Sequence, residues 1–312
     1  MFDLIVIGHL LKEKVVFPDG RELGPVLGSP AAYSSCAVAR LGLKVGLVSR
    51  AGRDMPEELL SVFSEVGVDT RGLKMGETTT SNRLIYQESG DKRLEFLTKA
   101  ADISFQAIPE EYLNASFFLI APVDYEVPES LLQSLHRKGK RLSMELSGFG
   151  GASSSEDGRI PRDERIDYLR RITPCFEIIK AGQEDCQCLF GDACPEEITG
   201  KFLSWGAKAV AITLKEKGAV LSDPYGLFRV PSLPTEAVDT TGAGDAWHAG
   251  FLAEYIKGKS LKESAEFANA VASLVIAKSG GVVGERFPTY QEAVDFIRQT
   301  WRTLSSSRQV SA

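Results

Sequence analysis

The chain has 312 residues, 43% of them hydrophobic and 25% charged, with a net charge of −6. This suits one large domain, or two smaller ones, with an ample core. The acidic and basic residues are interspersed, so no basic stripe points to nucleic acid and no Lys/Arg cluster to a membrane surface, and no apolar run approaches the ~18 residues of a transmembrane helix. Five cysteines, an odd number, read as free thiols; Cys186, Cys188 and Cys194 cluster, but their spacing matches no common zinc site and no His is near. The three histidines, His9, His136 and His248, are scattered and form no recognisable nucleophile motif.

Residues 2–8, Phe-Asp-Leu-Ile-Val-Ile-Gly, predict a buried first strand; the opening lacks the basic region of a signal peptide, and a cytoplasmic protein is expected. Residues 9–27 predict a short strand pair at the edge of the fold, closed by a Pro/Gly-rich turn. Within it, Glu13 is flanked by Lys12 and Lys14 and is either a solvated charge or a carboxylate aimed at a ligand. Gly28-Ser29-Pro30 opens a helix through Leu41, in whose first turn Tyr33 is either core or the wall of a pocket. Residues 45–49 predict a strand, followed by Gly52 and Asp54, and 57–66 an amphipathic helix. Residues 78–85 and 93–98 alternate as strands about a turn at Glu88-Ser89-Gly90-Asp91. With 9–27 they make a small β-sheet.

From residue 117 the pattern becomes strand–helix–strand: 117–121, 129–138 and 141–146. Strands separated by helices of this length imply parallel βαβ units. Residues 150–159 are Gly/Ser-rich. Residues 177–185 read as a strand running into an acidic loop with Glu184 and Asp185, either a helix N-terminus or a support for Mg²⁺, which one or two carboxylates hold through water. Residues 209–218 are a strand and turn, in which Lys215 either touches phosphate or faces solvent. A packing helix covers 261–278. Residues 303–312 predict a polar, disordered tail.

The richest stretch is Val238-Asp239-Thr240-Thr241-Gly242-Ala243-Gly244-Asp245-Ala246-Trp247. It predicts a tight turn over 240–244 and a helix from Gly242 to about Lys257. The two glycines let the backbone turn sharply and approach a ligand, and the first N–H groups of a helix carry the positive end of its dipole. Together they make an anion hole suited to phosphate. Asp245, in the first turn, is either there for the dipole or placed to take a proton from an attacking hydroxyl.

Asp239 to Ala246 resembles, without a gap, the C-terminal signature of the PfkB (ribokinase-like) carbohydrate kinases. The resemblance spans roughly residues 2 to 300. It implies one α/β domain over 1–304, a three-layer sandwich with a central mostly parallel sheet and a small β lid from about 9–27 and 77–100, followed by the tail at 305–312. It also implies ATP-dependent phosphorylation of a hydroxyl on a sugar or sugar-like polyol, with Gly242, Ala243 and Gly244 as the anion hole and Asp245 as base. By the same resemblance Glu13, Gly28, Ser29, Tyr33 and Asp54 face the acceptor. Thr213, Lys215, Gly218, Thr241, Asn269 and Gly280 lie on the nucleotide side. Asp185, Glu184 and Glu145 support Mg²⁺, and a monovalent cation is a further candidate cofactor. Gly148, Phe149 and Asp157 to Arg159 match an inositol-kinase-like branch. The chain departs from the family pattern at Ser29, where a second Gly is usual, at Gly182 and Asp185, where Asn and Glu are usual, and at Lys215, where Gly is usual. A nucleoside acceptor, with Tyr33 stacking a base, and a non-catalytic ligand-binding regulator are the alternatives. The expected partner is a small molecule, with no nucleic acid or membrane, and with a homodimer through the lid.

Overall fold

A computed structural model of the chain describes residues 1–86, 92–152, 154 and 160–310. The first half holds β1 (Leu4–Ile7), β2 (Leu11–Val16), β3 (Glu22–Gly28), α1 (Pro30–Arg40), β4 (Val45–Gly52), α2 (Glu57–Val66), β5 (Asp69–Gly76), β6 (Thr80–Tyr86) and β7 (Lys92–Thr98). The second half alternates β8 (Phe117–Ile120), α3 (Glu129–Arg137), β9 (Leu142–Glu145), α4 (Arg162–Ile172), β10 (Ile178–Gly182), α5 (Gln183–Phe190), α6 (Pro195–Ser204) and β11 (Ala209–Thr213). It closes with a hairpin, β12 (Ala219–Asp223) and β13 (Gly226–Val230), and three helices, α7 (Ala243–Tyr255), α8 (Leu261–Ile276) and α9 (Tyr290–Val310).

The central sheet runs β13-β12-β11-β10-β9-β8-β1-β4-β5, parallel from β5 to β11 and antiparallel at the β12–β13 edge. Its middle strands are apolar without alternation because helices cover both faces. In β1, Leu4 and Val6 pack into the layer built by α1, α2, α7 and α8, while Ile5 and Ile7 pack against α3 to α6. This is the expected three-layer sandwich. The order turns back at β1, which has β4 on one side and β8 on the other, and ligands of such sheets bind beyond the carboxyl ends of strands near that point. β2, β3, β6 and β7 form a separate sheet, ordered β3-β2-β6-β7.

Among the described residues no helix is long and apolar enough to cross a membrane. All five cysteines are free. One expectation fails: the stretch from residue 303 continues α9 as helix to Val310. No Gly or Pro follows Pro288 to stop it, and Leu304, Arg308 and Gln309 are good helix formers. The turn at Glu88 to Asp91 and the match at Asp157 to Arg159 lie outside the described residues.

Candidate active site

Two strand ends and one helix start meet beyond the sheet's carboxyl edge. β9 ends at Glu145, β10 ends at Gly182, and α7 starts after Gly242, whose φ of 73° places it in the left-handed region. No side chain caps α7. Its first turn therefore presents N–H groups and dipole to whatever lies before it. The turn is tight on both sides. A Cβ on Gly242 would lie 2.2 Å from a ring carbon of Tyr33, and one on Gly244 would lie 2.8 Å from Lys180 Nζ. Gly242→Ala should therefore cost about 2 kcal/mol or more in stability, through backbone strain and overpacking, and lower kcat steeply. A denaturant melt beside a rate assay checks both.

Asp245 is half-buried in the first turn of α7. Burial pushes its carboxyl up to about 7, with Glu145 and Asp185 adding to the rise and Lys180 opposing it. A carboxylate titrating near neutrality is matched to proton transfer at physiological pH.

Beneath the turn lies a buried charge relay. Lys180 and Glu145 are partners across the β10–β9 ladder, and Lys180 Nζ donates to Glu145 Oε1 at 3.0 Å. Glu145 Oε2 lies 3.1 Å from His248 Nδ1, and His248 Nε2 lies 2.7 Å from Ser143 Oγ. Burial lowers the pKa of His248. The neutral ring then donates from Nδ1 to Glu145 and accepts from Ser143. Burial alone would pull the pKa of Lys180 down, but Glu145, Asp245 and Asp185 outweigh it and hold the ammonium charged.

Asp185 caps its own helix. Oδ2 accepts from Gly182 N at 2.8 Å and Oδ1 from Ala152 N at 2.9 Å, while burial, then Glu145, pushes its carboxyl up to about 6. Each oxygen keeps a free lone pair. Glu145 is likewise engaged once at each oxygen, by Lys180 and His248, and at 2% exposure it sits deeper than Asp185. Glu184 is exposed and paired with Lys215 on the neighbouring β11 loop. Among the described residues no three His, Cys, Asp or Glu side chains group as metal ligands.

The remaining candidates divide by position. Thr213 ends β11 and donates to Ala181 O at 3.3 Å, beside Gly182. Gly218 has φ 88°, and a Cβ there would lie 2.0 Å from Val230 O, which requires glycine. Thr241 donates its N–H to Asp239 Oδ1 at 2.9 Å. Gly280 is exposed with φ 122°. Asn269 is corrected: its Oδ1 accepts from Trp247 Nε1 and its Nδ2 donates to Pro231 O, both at 2.7 Å, so its amide is spent inside the core.

At the junction with the small sheet, Gly28 lies against Glu13. Ser29 caps α1, accepting from Ala32 N at 3.1 Å, with the positive φ of 110° that a glycine would adopt without strain. Asp54 Oδ1 accepts both N–H and O–H of Thr79 at 2.8 Å, and Oδ2 pairs with Lys12 on β2. Tyr33 is only 5% exposed, its ring pressed beneath Gly242, so it supports the glycine turn and is not placed to stack a base. An open cleft of about 330 Å³ on α4 to α6, lined in part by Ile166, Arg170, Phe190 and Trp205, contains none of these residues.

The sequence matches the pattern of the pfkB family carbohydrate kinases over residues 28–286. It is 36% identical over 288 residues to a cytidine kinase of Thermococcus kodakarensis, covering 90% of this chain and 98% of that one. It is 39% identical over 298 residues to an ATP-dependent 6-phosphofructokinase of Thermoanaerobacterium thermosaccharolyticum, covering 90% of each. Among solved structures, an E. coli protein assigned as a ribokinase II, in complex with ATP and Mg²⁺, superposes with a TM-score of 0.76 at 23% identity, covering 96% of this chain and all of that one.

Proposed function

The chain belongs to the pfkB family of carbohydrate kinases, and from that premise we propose that it transfers the γ-phosphoryl group of ATP to a hydroxyl of a sugar or sugar-like polyol, with Asp245 as base. The observation that carries this reading is the juxtaposition of Asp245, its carboxyl pushed up to about 7, with an uncapped glycine turn at the start of α7.

In this reading the acceptor hydroxyl loses its proton to Asp245 as its oxygen bonds to the γ-phosphorus, and the bond from phosphorus to the β–γ bridging oxygen breaks to release ADP. The N–H groups of Gly242 and Gly244 would face the charge carried by the transferring group, the N–H of Ala243 closes the turn onto Thr240 O, and Lys180 adds a fixed positive charge beneath Gly244. Mg²⁺ would neutralise the polyphosphate. Asp185, with its two free lone pairs, would hold it through water, with Glu184 nearer the solvent. Thr213, Lys215, Gly218, Thr241 and Gly280 would line the nucleotide side. Glu13, Gly28, Ser29 and Asp54 would face the acceptor, with Asp54 also tying β4 to the small sheet through Lys12 and Thr79.

A nucleoside acceptor is the second reading, favoured by the cytidine kinase that this chain matches over 98% of that protein's length. ADP release from Mg·ATP across pentoses, hexoses, hexose phosphates, inositols and nucleosides tests both. Turnover on one class names the acceptor. Binding of ATP without turnover on any of them would favour a regulator on the same fold, and failure to bind ATP would sink the kinase reading.

The pH profile gives a separate check. Because Asp245 acts only when ionised, kcat/KM should fall about tenfold per pH unit below roughly 7 and level off above it. A limb near 4 in overlapping buffers would show that Asp245 is either unperturbed or not the base.

A further inference from the structure

Residues 231–239 reach the glycine turn without helix or strand of their own. What fixes their end is a buried cation. Arg286, 1% exposed, closes the short turn Gly284–Arg286 that follows α8. Its Nε donates to the carbonyls of Val275 at 3.3 Å and Lys278 at 3.1 Å, its Nη1 to Gly281 O at 3.2 Å, and its Nη2 to Asp239 O at 2.8 Å. Nη2 also lies 3.4 Å from Asp239 Oδ2, and the guanidinium sits 5.8 Å over the Tyr33 ring. The other Asp239 oxygen holds Thr241 N–H. The backbone N–H groups of Val238 and Asp239 reach Ile276 O.

Four main-chain carbonyls and one carboxylate thus converge on a single charge, at the negative end of the α8 dipole. Carbonyl and carboxylate oxygens converging in this way are the ligand chemistry of a hard metal cation. Here the charge arrives on a side chain, and the cage is full.

We propose that Arg286 is a built-in cation of the phosphoryl-transfer loop. It locks Asp239, and through it Thr241 and Gly242, so that the turn is preformed, and it takes the place that a bound K⁺ or Na⁺ would fill. Turnover then needs no monovalent cation. Arg286 is a positioning residue: it touches the loop and not the reacting atoms. The inference rests on the kinase reading only for its rate arm.

The experiment compares KCl, NaCl and choline chloride at equal ionic strength, on the wild-type chain and on Arg286→Met. The wild type should show the same melting temperature and the same kcat in all three salts. Arg286→Met uncovers the carbonyl cage. It should melt lower and lose about tenfold or more in kcat, since small displacements of catalytic geometry cost that much. KCl or methylguanidinium, but not choline, should raise its melting temperature and return part of its kcat, because ligands that bind only the folded form stabilise it.

Selective stimulation of the wild type by K⁺ or Na⁺ would overturn the proposal. So would an Arg286→Met chain with unchanged kcat, or one whose losses no cation recovers. If the variant does not fold, the wild-type salt series decides alone. The melting arm needs no acceptor, so a chain that phosphorylates nothing would fail the kinase reading while the cage is still judged.

Discussion

Asp245→Asn is expected to lower kcat by about 10²–10⁴-fold, with the KM for ATP changed little. The amide keeps the shape and the burial of the carboxyl but cannot take the acceptor's proton. Because burial and the nearby Glu145 and Asp185 already disfavour charge here, removing it should not unfold the protein. A carboxylate whose folded pKa is raised costs stability as pH rises from its unfolded value near 4 through about 7. The substituted amide is never charged, so the Asp245→Asn variant should match or exceed the wild-type melting temperature at pH 8, and most of that advantage should be gone by pH 5. A dead variant that also melts well below wild type at pH 8 would mean that Asp245 holds the turn together. A live one would remove it from the chemistry.

Much of the fold was legible in the sequence because its signals are local. The shift from residue 117 to apolar runs alternating with helical periods follows from burying strands on both faces, and the structure returns it as β8 to β11. Ser29 and Pro30 mark the start of α1 because a cap and a fixed φ act within one turn. β5 and the β12–β13 hairpin were not foreseen. β5 is an edge strand carrying Arg71 and Lys74, which blurs its alternation, as charged edges do. The hairpin had a readable mark in Asp223-Pro224-Tyr225-Gly226, a turn sequence between short strands.

The site was legible where glycines and acids sit within a few residues of each other, and illegible where its partners are distant in the chain. Lys180 carried a faint signal, a single charge inside the apolar run 178–181. Its meaning depends on Glu145, 35 residues away, and on Gly244, which only the packing of α7 over the sheet brings near. Arg286 stands in a glycine-rich stretch with nothing local to distinguish it; its contact with Asp239 spans 47 residues. The same long-range packing buries Asn269 and Tyr33, at 6% and 5% exposure, against Trp247 and Gly242, contacts that no local pattern announces.

Lys180→Met is expected to have the second large effect, on stability and chemistry together. Lys180 and Glu145 are both buried, at 4% and 3% side-chain exposure. Removing one member of such a pair leaves a charge uncompensated and costs about 3–5 kcal/mol, whereas replacing both with apolar groups of similar size is often neutral. A denaturant melt of Lys180→Met should fall accordingly, and Lys180→Met/Glu145→Met should recover most of the loss. The pH profile separates packing from electrostatics. Lys180 lowers the pKa of Asp245 and Glu145 raises it, so Lys180→Met should move the acid limb of kcat/KM above about 7 and Glu145→Gln should move it below. A purely structural role would lower both rates and leave both limbs in place. Opposite shifts would place Lys180 and Glu145 as the pair that sets the proton affinity of the base, with the ammonium directly beneath the turn that faces the phosphate.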